Sequence, residues 1–248
     1  MIETKNLTKH FGSLRAVQNL DLSIQQGEFF AFLGPNAAGK TTTIKMLTGL
    51  IKPTSGSASI CGFDIQKDPV AAKKRIAYVP DFPFLYDKLT PREFVRFVGE
   101  LFELPQKVIR SRTDELFEKF HLHEFNNELI ENLSHGTRQR VAISSALIHN
   151  PDVFIIDEPM VGLDPMHAKV VKDEFKARSK AGTTFFLSTH QLSVAEEIAD
   201  RIGIIHHGHL IAIGTVEELR RSSTSSGALE EVFLGIVQAE SDKPALHQ

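Results

Sequence analysis

The sequence predicts an α/β fold in which a parallel β-sheet is interrupted by an inserted block of helices. Residues 153–156, 184–187 and 202–205 are short β-prone runs with helical segments between them, an order typical of βαβ units. Residues 29–33 form a continuous apolar run, as expected for a strand buried on both faces. Residues 84–150 have mostly helical spacing, so we expect them to form the insertion.

Strand patterns dominate the first third of the chain. Leu20, Leu22 and Ile24 alternate with polar residues, which predicts a half-buried strand. After the buried run, residues 34–36 read Gly-Pro-Asn, a turn signal. Ile44, Leu47 and Ile51 follow at helical spacing, so we expect these three to face one way on a helix.

The inserted block begins with a clear helix start. Residues 90–93 read Thr-Pro-Arg-Glu, a capping box with proline at the first helical position. Apolar residues continue at helical intervals to residue 101. A second helix is predicted to carry Val108, Leu116, Phe117 and Phe120.

Composition excludes several classes of protein. The 248 residues include 28 Lys and Arg against 31 Asp and Glu, a net charge of −3, so no nucleic-acid partner is expected. The single cysteine, Cys61, cannot form an internal disulfide, which favours a reducing, cytoplasmic compartment. The first ten residues lack the apolar core of a signal peptide, and no apolar run approaches the ~18 residues of a membrane helix.

A glycine-rich loop follows the buried strand and precedes the first predicted helix. Residues 34–42 match the phosphate-binding pattern GxxxxGK[ST] in this strand–loop–helix context. In such a loop the backbone N–H groups and the helix N-terminus surround phosphates, the lysine reaches the β and γ phosphates, and the threonine binds Mg²⁺. The predicted binding residues are Gly34, Pro35, Asn36, Ala37, Ala38, Gly39, Lys40, Thr41 and Thr42.

An acidic pair ends another predicted strand. Asp157 and Glu158 follow the apolar run at 153–156, at the edge where α/β sheets bind their ligands. Asp157 is predicted to bind Mg²⁺, mainly through water. Glu158 is predicted to orient or deprotonate an attacking water. An acidic pair alone is often only a solvated strand end. The pair therefore indicates a catalytic site only in combination with the phosphate loop.

A third motif names a family. Residues 133–140 read Leu-Ser-His-Gly-Thr-Arg-Gln-Arg before an apolar helical stretch; by itself this is a helix start capped by Ser134. Placed 23 residues before the acidic pair (157 − 134), it resembles the LSGGQ signature of ABC ATPases. The resemblance covers nearly all of residues 1–220. It implies a P-loop ABC ATPase core with a parallel sheet, an N-terminal antiparallel β subdomain and an inserted α-helical subdomain.

The resemblance also implies roles for residues outside these motifs. Phe11 lies where the family places the aromatic residue that stacks on adenine. Asp164, in Val-Gly-Leu-Asp-Pro, resembles the carboxylate of the D-loop, and His190 resembles the switch histidine that contacts the γ phosphate. Lys40, Glu158 and His190 would carry catalysis. Ser134 and Gly136 of one cassette would face the ATP of another.

Three residues depart from the family pattern. Asp81 stands where the Q-loop usually has glutamine; it can still face Mg²⁺ or its water. His135 replaces the first glycine of the signature pair. Ala37 replaces a glycine of the phosphate loop, which is expected to be tolerable if its φ is negative.

The resemblance implies the ATP-binding subunit of an ABC transporter. The cofactors would be ATP and Mg²⁺, and hydrolysis between two cassettes would drive a separate membrane permease. The protein would then be cytoplasmic and peripheral to the membrane. Residues 221–248 are expected to form a tail with a short helix, with a flexible joint at 221–227. Residues 229–234 resemble a segment common in ABC-2 exporters, so export is expected.

Three other interpretations remain. A soluble ABC ATPase without a membrane partner would share every motif. A P-loop kinase would leave residues 133–140 and 161–165 unexplained. A metal site at His206, His207 and His209 is less simple than a turn between two strands, because adjacent strand residues point to opposite faces.

Overall fold

The computed structural model describes residues 1–222 and the single residue Phe233. It contains a four-stranded antiparallel sheet and a six-stranded, mainly parallel sheet, with helices around them. This confirms the α/β fold with an N-terminal antiparallel sheet. The segment at 229–234, apart from Phe233, and residues 223–227 lie outside the described residues.

The antiparallel sheet is built from the N-terminal half of the chain. Its strands are β1 (Ile2–Phe11), β2 (Leu14–Ile24), β4 (Ser55–Ile60) and β5 (Phe63–Asp64), in the order β2-β1-β4-β5. Leu20, Leu22 and Ile24 of β2 are buried while the residues between them are exposed. The predicted half-buried strand is therefore confirmed.

The second sheet supports the phosphate loop. Its strands are β3 (Phe29–Leu33), β6 (Ile76–Val79), β7 (Val153–Asp157), β8 (Thr184–Thr189), β9 (Arg201–His206) and β10 (His209–Gly214). Their order is β10-β9-β3-β8-β7-β6. All are parallel to their neighbours except β10, which pairs with β9 as an antiparallel hairpin. The carboxyl ends of β3, β7 and β8 thus meet at one edge.

Within residues 1–222, eight helices connect and cover these strands. They are α1 (Lys40–Leu47), α2 (Pro69–Lys73), α3 (Pro91–Leu101), α4 (Gln106–Lys119), α5 (His135–Leu147), α6 (Pro165–Lys180), α7 (Leu192–Ile198) and α8 (Val216–Ser222). Helices α3, α4 and α5, with short 3₁₀ turns between α4 and α5, form the inserted block. Thr90 and Glu93 cap α3 reciprocally, as the sequence predicts.

Two predicted boundaries are wrong. Helix α1 ends at Leu47, so Ile51 is not part of it; Gly49 turns the chain with a φ of 67°, which is the usual way for glycine to end a helix. Helix α8 continues through Ser222, two residues into the segment expected to be a flexible joint.

The core of the parallel sheet is aromatic. Phe29 and Phe185, on neighbouring strands, stack with ring centroids 4.8 Å apart, and Phe154 packs against Phe185 at 5.4 Å. One face of this sheet packs against the inserted helices, and the other packs against α1 and the antiparallel sheet. The edge that carries the motifs is therefore fixed from both sides.

Within residues 1–222, none of the helices has the length and apolar character that crossing a membrane requires.

Candidate functional site

The phosphate loop has no room for side chains at two of its glycines. A Cβ on Gly34 would lie 2.4 Å from the carbonyl oxygen of Ile205, and one on Gly39 would lie 2.5 Å from that of Ala16. Gly39 also has a φ of 114°, a conformation that L-residues rarely adopt. These contacts fix the loop against β9 and β2.

The side chain of Lys40 points into this loop. Its Nζ donates hydrogen bonds to the carbonyl oxygens of Gly34 (2.7 Å) and Pro35 (3.1 Å). Burial lowers the pKa of Lys40, and the nearby carboxylates of Glu158 and Asp157 act in the opposite direction. The ammonium group is thus held where the motif requires it to meet phosphate oxygens.

The condition attached to Ala37 is not met. Its φ is 62°, in the left-handed region, so the condition under which alanine was expected to be tolerable does not hold. The residue is exposed, and its methyl group is accommodated, but the backbone is in a conformation that costs an L-residue ~1–2 kcal/mol.

Asp157 and Thr41 lie side by side. Asp157 is the last residue of β7 and is only 4% exposed; Thr41 Oγ1 donates a hydrogen bond to its Oδ2 at 3.1 Å. Burial raises the pKa of Asp157, the Thr41 hydrogen bond lowers it, and the carboxylates of Glu158 and Asp81 raise it further. A hydroxyl and a carboxylate suit Mg²⁺, which takes one or two protein oxygens together with phosphates and water.

Glu158 is held by the residues that follow β8. Its carboxylate accepts hydrogen bonds from Thr189 Oγ1 (3.0 Å), from the backbone N–H of His190 (2.9 Å) and from the His190 ring at Nδ1 (2.7 Å). Its own backbone has a φ of 49°. His190 therefore contacts the acidic pair directly, a pairing that the sequence did not predict.

One cleft gathers most of the predicted residues. It has a volume of about 460 Å³. The lining comprises Phe11, residues 36–42, Asp81, Asp157 and Glu158, together with Leu14, Arg15, Ala16 and His207. The last four were not predicted, because no local motif marks them; Leu14, Arg15 and Ala16 reach the cleft from the start of β2, and His207 from the β9–β10 turn.

Phe11 lies at the mouth of the cleft. Its side chain is 50% exposed, and the ammonium of Lys9 lies 5.0 Å from the centre of its ring. The ring therefore has an accessible face on which a base could stack.

Asp81 also reaches this cleft. It follows β6, and its carboxylate acts with that of Asp157 on Tyr78: burial, then the two negative charges, raises the pKa of Tyr78 to about 12. Asp81 thus lies on the same side of the sheet as the acidic pair, as expected.

Ser134, Gly136, Asp164 and His190 do not line the cleft. Ser134 Oγ caps α5 by accepting from Thr137 N at 3.2 Å, as the sequence predicts. A Cβ on Gly136 would lie 2.6 Å from the carbonyl oxygen of Gly162. The signature segment therefore packs against the D-loop segment and away from the phosphate loop of its own chain.

His135 fills the space beside Gly162. A Cβ on Gly162 would lie 2.0 Å from His135 Cδ2, and the ring of Phe82 lies 6.2 Å from that of His135. The imidazole that replaces a signature glycine therefore contacts the segments after Asp81 and before Asp164.

The carboxylate of Asp164 accepts hydrogen bonds from residues of its own chain. It accepts them from His167 Nδ1 (2.5 Å) and from the backbone N–H groups of Met166 and His167 (3.0 Å each). The His167 hydrogen bonds hold the pKa of Asp164 at about 2. The carboxylate therefore caps α6.

The three clustered histidines form a strand turn, but the reason given for it is wrong. The rings of His206 and His207 do not diverge; their centroids lie 4.0 Å apart, because His207 has a φ of 46° in the turn. Among the described residues, no group of three or more His, Cys, Asp or Glu side chains could hold a metal ion.

Comparison with known protein families decides the identity. The family model for ABC transporters matches residues 17–161, more than half of the chain. The chain belongs to the ABC transporter family. The chain is therefore an ABC ATPase, an ATP-binding and ATP-hydrolysing enzyme.

Similar proteins cover most of this ABC ATPase. It is 37% identical over 219 residues to the linearmycin resistance ATP-binding protein LnrL of Bacillus subtilis, spanning 88% of this chain and 70% of that one. It is 36% identical over 230 residues to a Nod factor export ATP-binding protein of Cupriavidus metallidurans, spanning 93% and 76%. A dimeric ATP-binding cassette in a post-hydrolysis state with ADP and Pi matches with a TM-score of 0.79 and 29% identity, over 87% and 98%.

Proposed function

We propose that this ABC ATPase is the energy-supplying subunit of an exporter, which hydrolyses Mg-ATP between two cassettes and drives a separate membrane permease. The observation that carries the proposal is that the predicted ATP-contacting residues lie in two separate places on the chain. The cleft contains the phosphate loop, Asp157 and Glu158, while Ser134 and Gly136 lie outside it.

Different residues of the cleft bind the phosphates, hold Mg²⁺ and activate the attacking water. Lys40 and the loop N–H groups bind the β and γ phosphates, and Thr41, Asp157 and Asp81 hold Mg²⁺ or its water. Mg²⁺, when bound, neutralises charge that develops on the phosphates. Glu158 positions and deprotonates the attacking water. His190, hydrogen-bonded to Glu158 at 2.7 Å, fixes the direction of that carboxylate and reaches the γ phosphate.

The exposed position of the signature segment supports the proposal that a second cassette binds there. The chain has one copy of each motif, and Ser134 is exposed at the start of α5, where a helix N-terminus favours a negatively charged ligand. A second chain, identical or related, would bring its phosphate loop to this surface. The dimeric relative with ADP and Pi supports this arrangement.

An exposed aromatic surface supports the proposal that the chain binds a permease. We define it as Phe84, Tyr86, Phe97 and Leu101, which are 92%, 57%, 40% and 69% exposed. Beside it lies an apolar groove of about 270 Å³ between β6, α3 and α5, lined in part by Phe84 and Phe102. Exposed apolar patches mark sites of protein interaction. This surface follows Asp81 in the chain, so closure around ATP can move it.

The direction of transport rests on the relatives. One is named for linearmycin resistance and another for Nod factor export. Removal of a compound from the cell accounts for both names, so we assign export. Association with the permease would place the chain at the cytoplasmic face of the membrane.

The substitution Glu158→Gln tests the proposal. It keeps the shape of the side chain but removes the charge that accepts a proton from water, so ATP should bind while hydrolysis falls ~10²–10⁴-fold. The trapped nucleotide should then hold two chains together, measured by light scattering with Mg-ATP. The exposed Glu3→Gln serves as the matched control.

Lys40→Ala separates binding from trapping. Without the ammonium, neither nucleotide binding nor ATP-dependent dimerisation should occur. Normal turnover by Glu158→Gln would exclude this carboxylate as the base, and a trapped monomer would exclude the shared site. A wild-type protein that carries no membrane protein in any nucleotide state would instead favour the soluble ABC ATPase.

A further inference from the structure

A second cleft lies in the inserted helical block, apart from the nucleotide site. It has a volume of about 620 Å³ and lies between α3, α4 and the turn after α4. Its floor is formed by the buried residues Ile109 and Thr113. The two helices meet at Gly99, where a Cβ would lie 2.8 Å from Ile109 Cγ1. The cleft is therefore a fixed feature of the helix packing.

Four cations surround this cleft. They are Arg92 and Arg96 of α3 and Lys107 and Arg110 of α4. The only carboxylate in the lining belongs to Glu93, which is committed to capping α3 through Thr90 N and Oγ1 at 2.9 Å each. In a chain with a net charge of −3, this is a local excess of positive charge.

Only part of this charge is neutralised. Arg92 pairs with Asp114 at 2.8 Å, and Arg96 lies 3.7 Å from Glu100. Within residues 1–222, neither Lys107 nor Arg110 has an ion-pair or hydrogen-bond partner. Two cations thus remain available on the α4 side of the cleft.

The position of Lys107 is unfavourable for the helix alone. It lies in the first turn of α4, which contains no acidic residue, although the positive end of the helix dipole favours acidic side chains there. An anion bound in the cleft would be attracted both by the side chains and by the helix terminus. The position of Lys107 is therefore more favourable for binding an anion than for the stability of α4.

The neighbouring apolar side chains indicate which anion. Phe97, an exposed residue of the aromatic surface, directly follows Arg96 on α3, so the cleft lies beside the face proposed to meet the permease. Cations beside a surface that faces a permease match the anionic headgroups of the lipids that surround a membrane protein.

We propose that the α3–α4 cleft binds the phosphate of anionic membrane lipids. The proposal builds on the proposed function, because a permease bound at the aromatic surface would bring α3 to the lipids around it. Arg and Lys would hold the phosphate, and Gln106 and Asn126, which also line the cleft, would meet the polar headgroup. Lipid contact would then orient the ATPase on its permease.

Vesicle flotation of the full chain tests this proposal without a permease. Wild-type protein should float with phosphatidylglycerol vesicles, not with phosphatidylcholine vesicles, and the bound fraction should fall as salt is raised. Each basic residue near an anionic surface contributes about fivefold to binding, so Lys107→Gln/Arg110→Gln should lower the partition coefficient about 30-fold. Lys67→Gln/Lys180→Gln, which removes two exposed charges elsewhere, should bind like the wild type.

The opposing results are distinct. Equal flotation of the wild type and Lys107→Gln/Arg110→Gln, or no flotation of the wild type, would overturn the proposal. In the second case, calorimetric binding of inorganic pyrophosphate or poly-glutamate that depends on Lys107 and Arg110 would reassign the cleft to a soluble phosphate or an acidic segment. Because the vesicles contain no permease, none of these results depends on the permease assignment.

Discussion

In the cleft proposed to bind nucleotide, two residues have a backbone conformation that favours glycine. Ala37 has a φ of 62° and Glu158 a φ of 49°. Such strain persists where surrounding contacts hold the residue. Three hydrogen bonds from Thr189 and His190 hold the Glu158 side chain, whereas Ala37 is exposed. The strain at Glu158 therefore helps to aim a carboxylate, while the strain at Ala37 can be relieved without losing a contact.

Ala37→Gly should stabilise the protein. Relief of the left-handed strain contributes ~1–2 kcal/mol, and the greater freedom of glycine in the unfolded chain removes ~0.4–1 kcal/mol, which leaves a net gain of up to about 1.6 kcal/mol. Urea denaturation measures the free energy of unfolding. Ala38→Gly is the control: Ala38 is buried and lacks a positive φ, so this change should destabilise. Two variants that lose stability equally would contradict the strain at Ala37.

Among the elements, the junction of α5 with β6 carries a partly buried titratable group. His149 follows α5; its Nε2 lies 3.2 Å from the carbonyl oxygen of Ile76, and its ring stacks on Phe102 at 3.7 Å. Burial lowers the pKa of His149 to about 4, although the Ile76 hydrogen bond acts in the opposite direction. The imidazole is therefore neutral at physiological pH and joins the inserted block to the sheet.

This pKa predicts a loss of stability in acid. Between pH 6.5 and about 4, the unfolded chain binds a proton at His149 that the folded chain does not, so the free energy of unfolding falls as pH falls. The loss attributable to His149 amounts to up to about 3 kcal/mol and is absent above this window. Urea denaturation at several pH values should show a steeper loss in the wild type than in His149→Gln. Parallel pH profiles would show that the histidine is not buried as described.

On the scale of the whole molecule, exposed apolar side chains are not evenly placed. Phe84 is 92% exposed and belongs to the aromatic surface, whereas Val70, 68% exposed, lies on α2 outside that surface. Isolated exposed apolar residues are normal, but clustered ones indicate an interface. This clustering supports the proposal that the aromatic surface contacts a permease.

Phe84→Glu should separate hydrolysis from membrane association. Burial of one phenylalanine contributes about 1.5–3 kcal/mol, so its replacement by a charge should lower affinity for native membranes at least tenfold and leave basal ATP turnover unchanged. Sedimentation with permease-containing membranes and a phosphate-release assay measure the two quantities. Val70→Glu introduces the same charge on α2 and should behave like the wild type. If both variants remain membrane-bound, the permease contacts another surface.

The sequence by itself determined the features that depend on neighbours in the chain. Alternation in β2, the apolar run of β3, the caps at Thr90 and Ser134 and the phosphate loop were all predicted, because each depends on contacts within a few residues. The order of the motifs identified the family before any geometry was known. It also indicated that Asp157 and Glu158 belong with Lys40, since parallel strands end at a common edge.

The tertiary structure decided how residues far apart in the chain meet. Thr41 and Asp157, separated by 116 positions, and Glu158 and His190, separated by 32, form hydrogen bonds that no local pattern encodes. The left-handed Ala37, the close rings of His206 and His207 and the cationic cleft between α3 and α4 have the same origin. The packing of whole elements determines the backbone conformation of the loops and the placement of the surface charges. That packing depends on contacts that sequence periodicity does not specify.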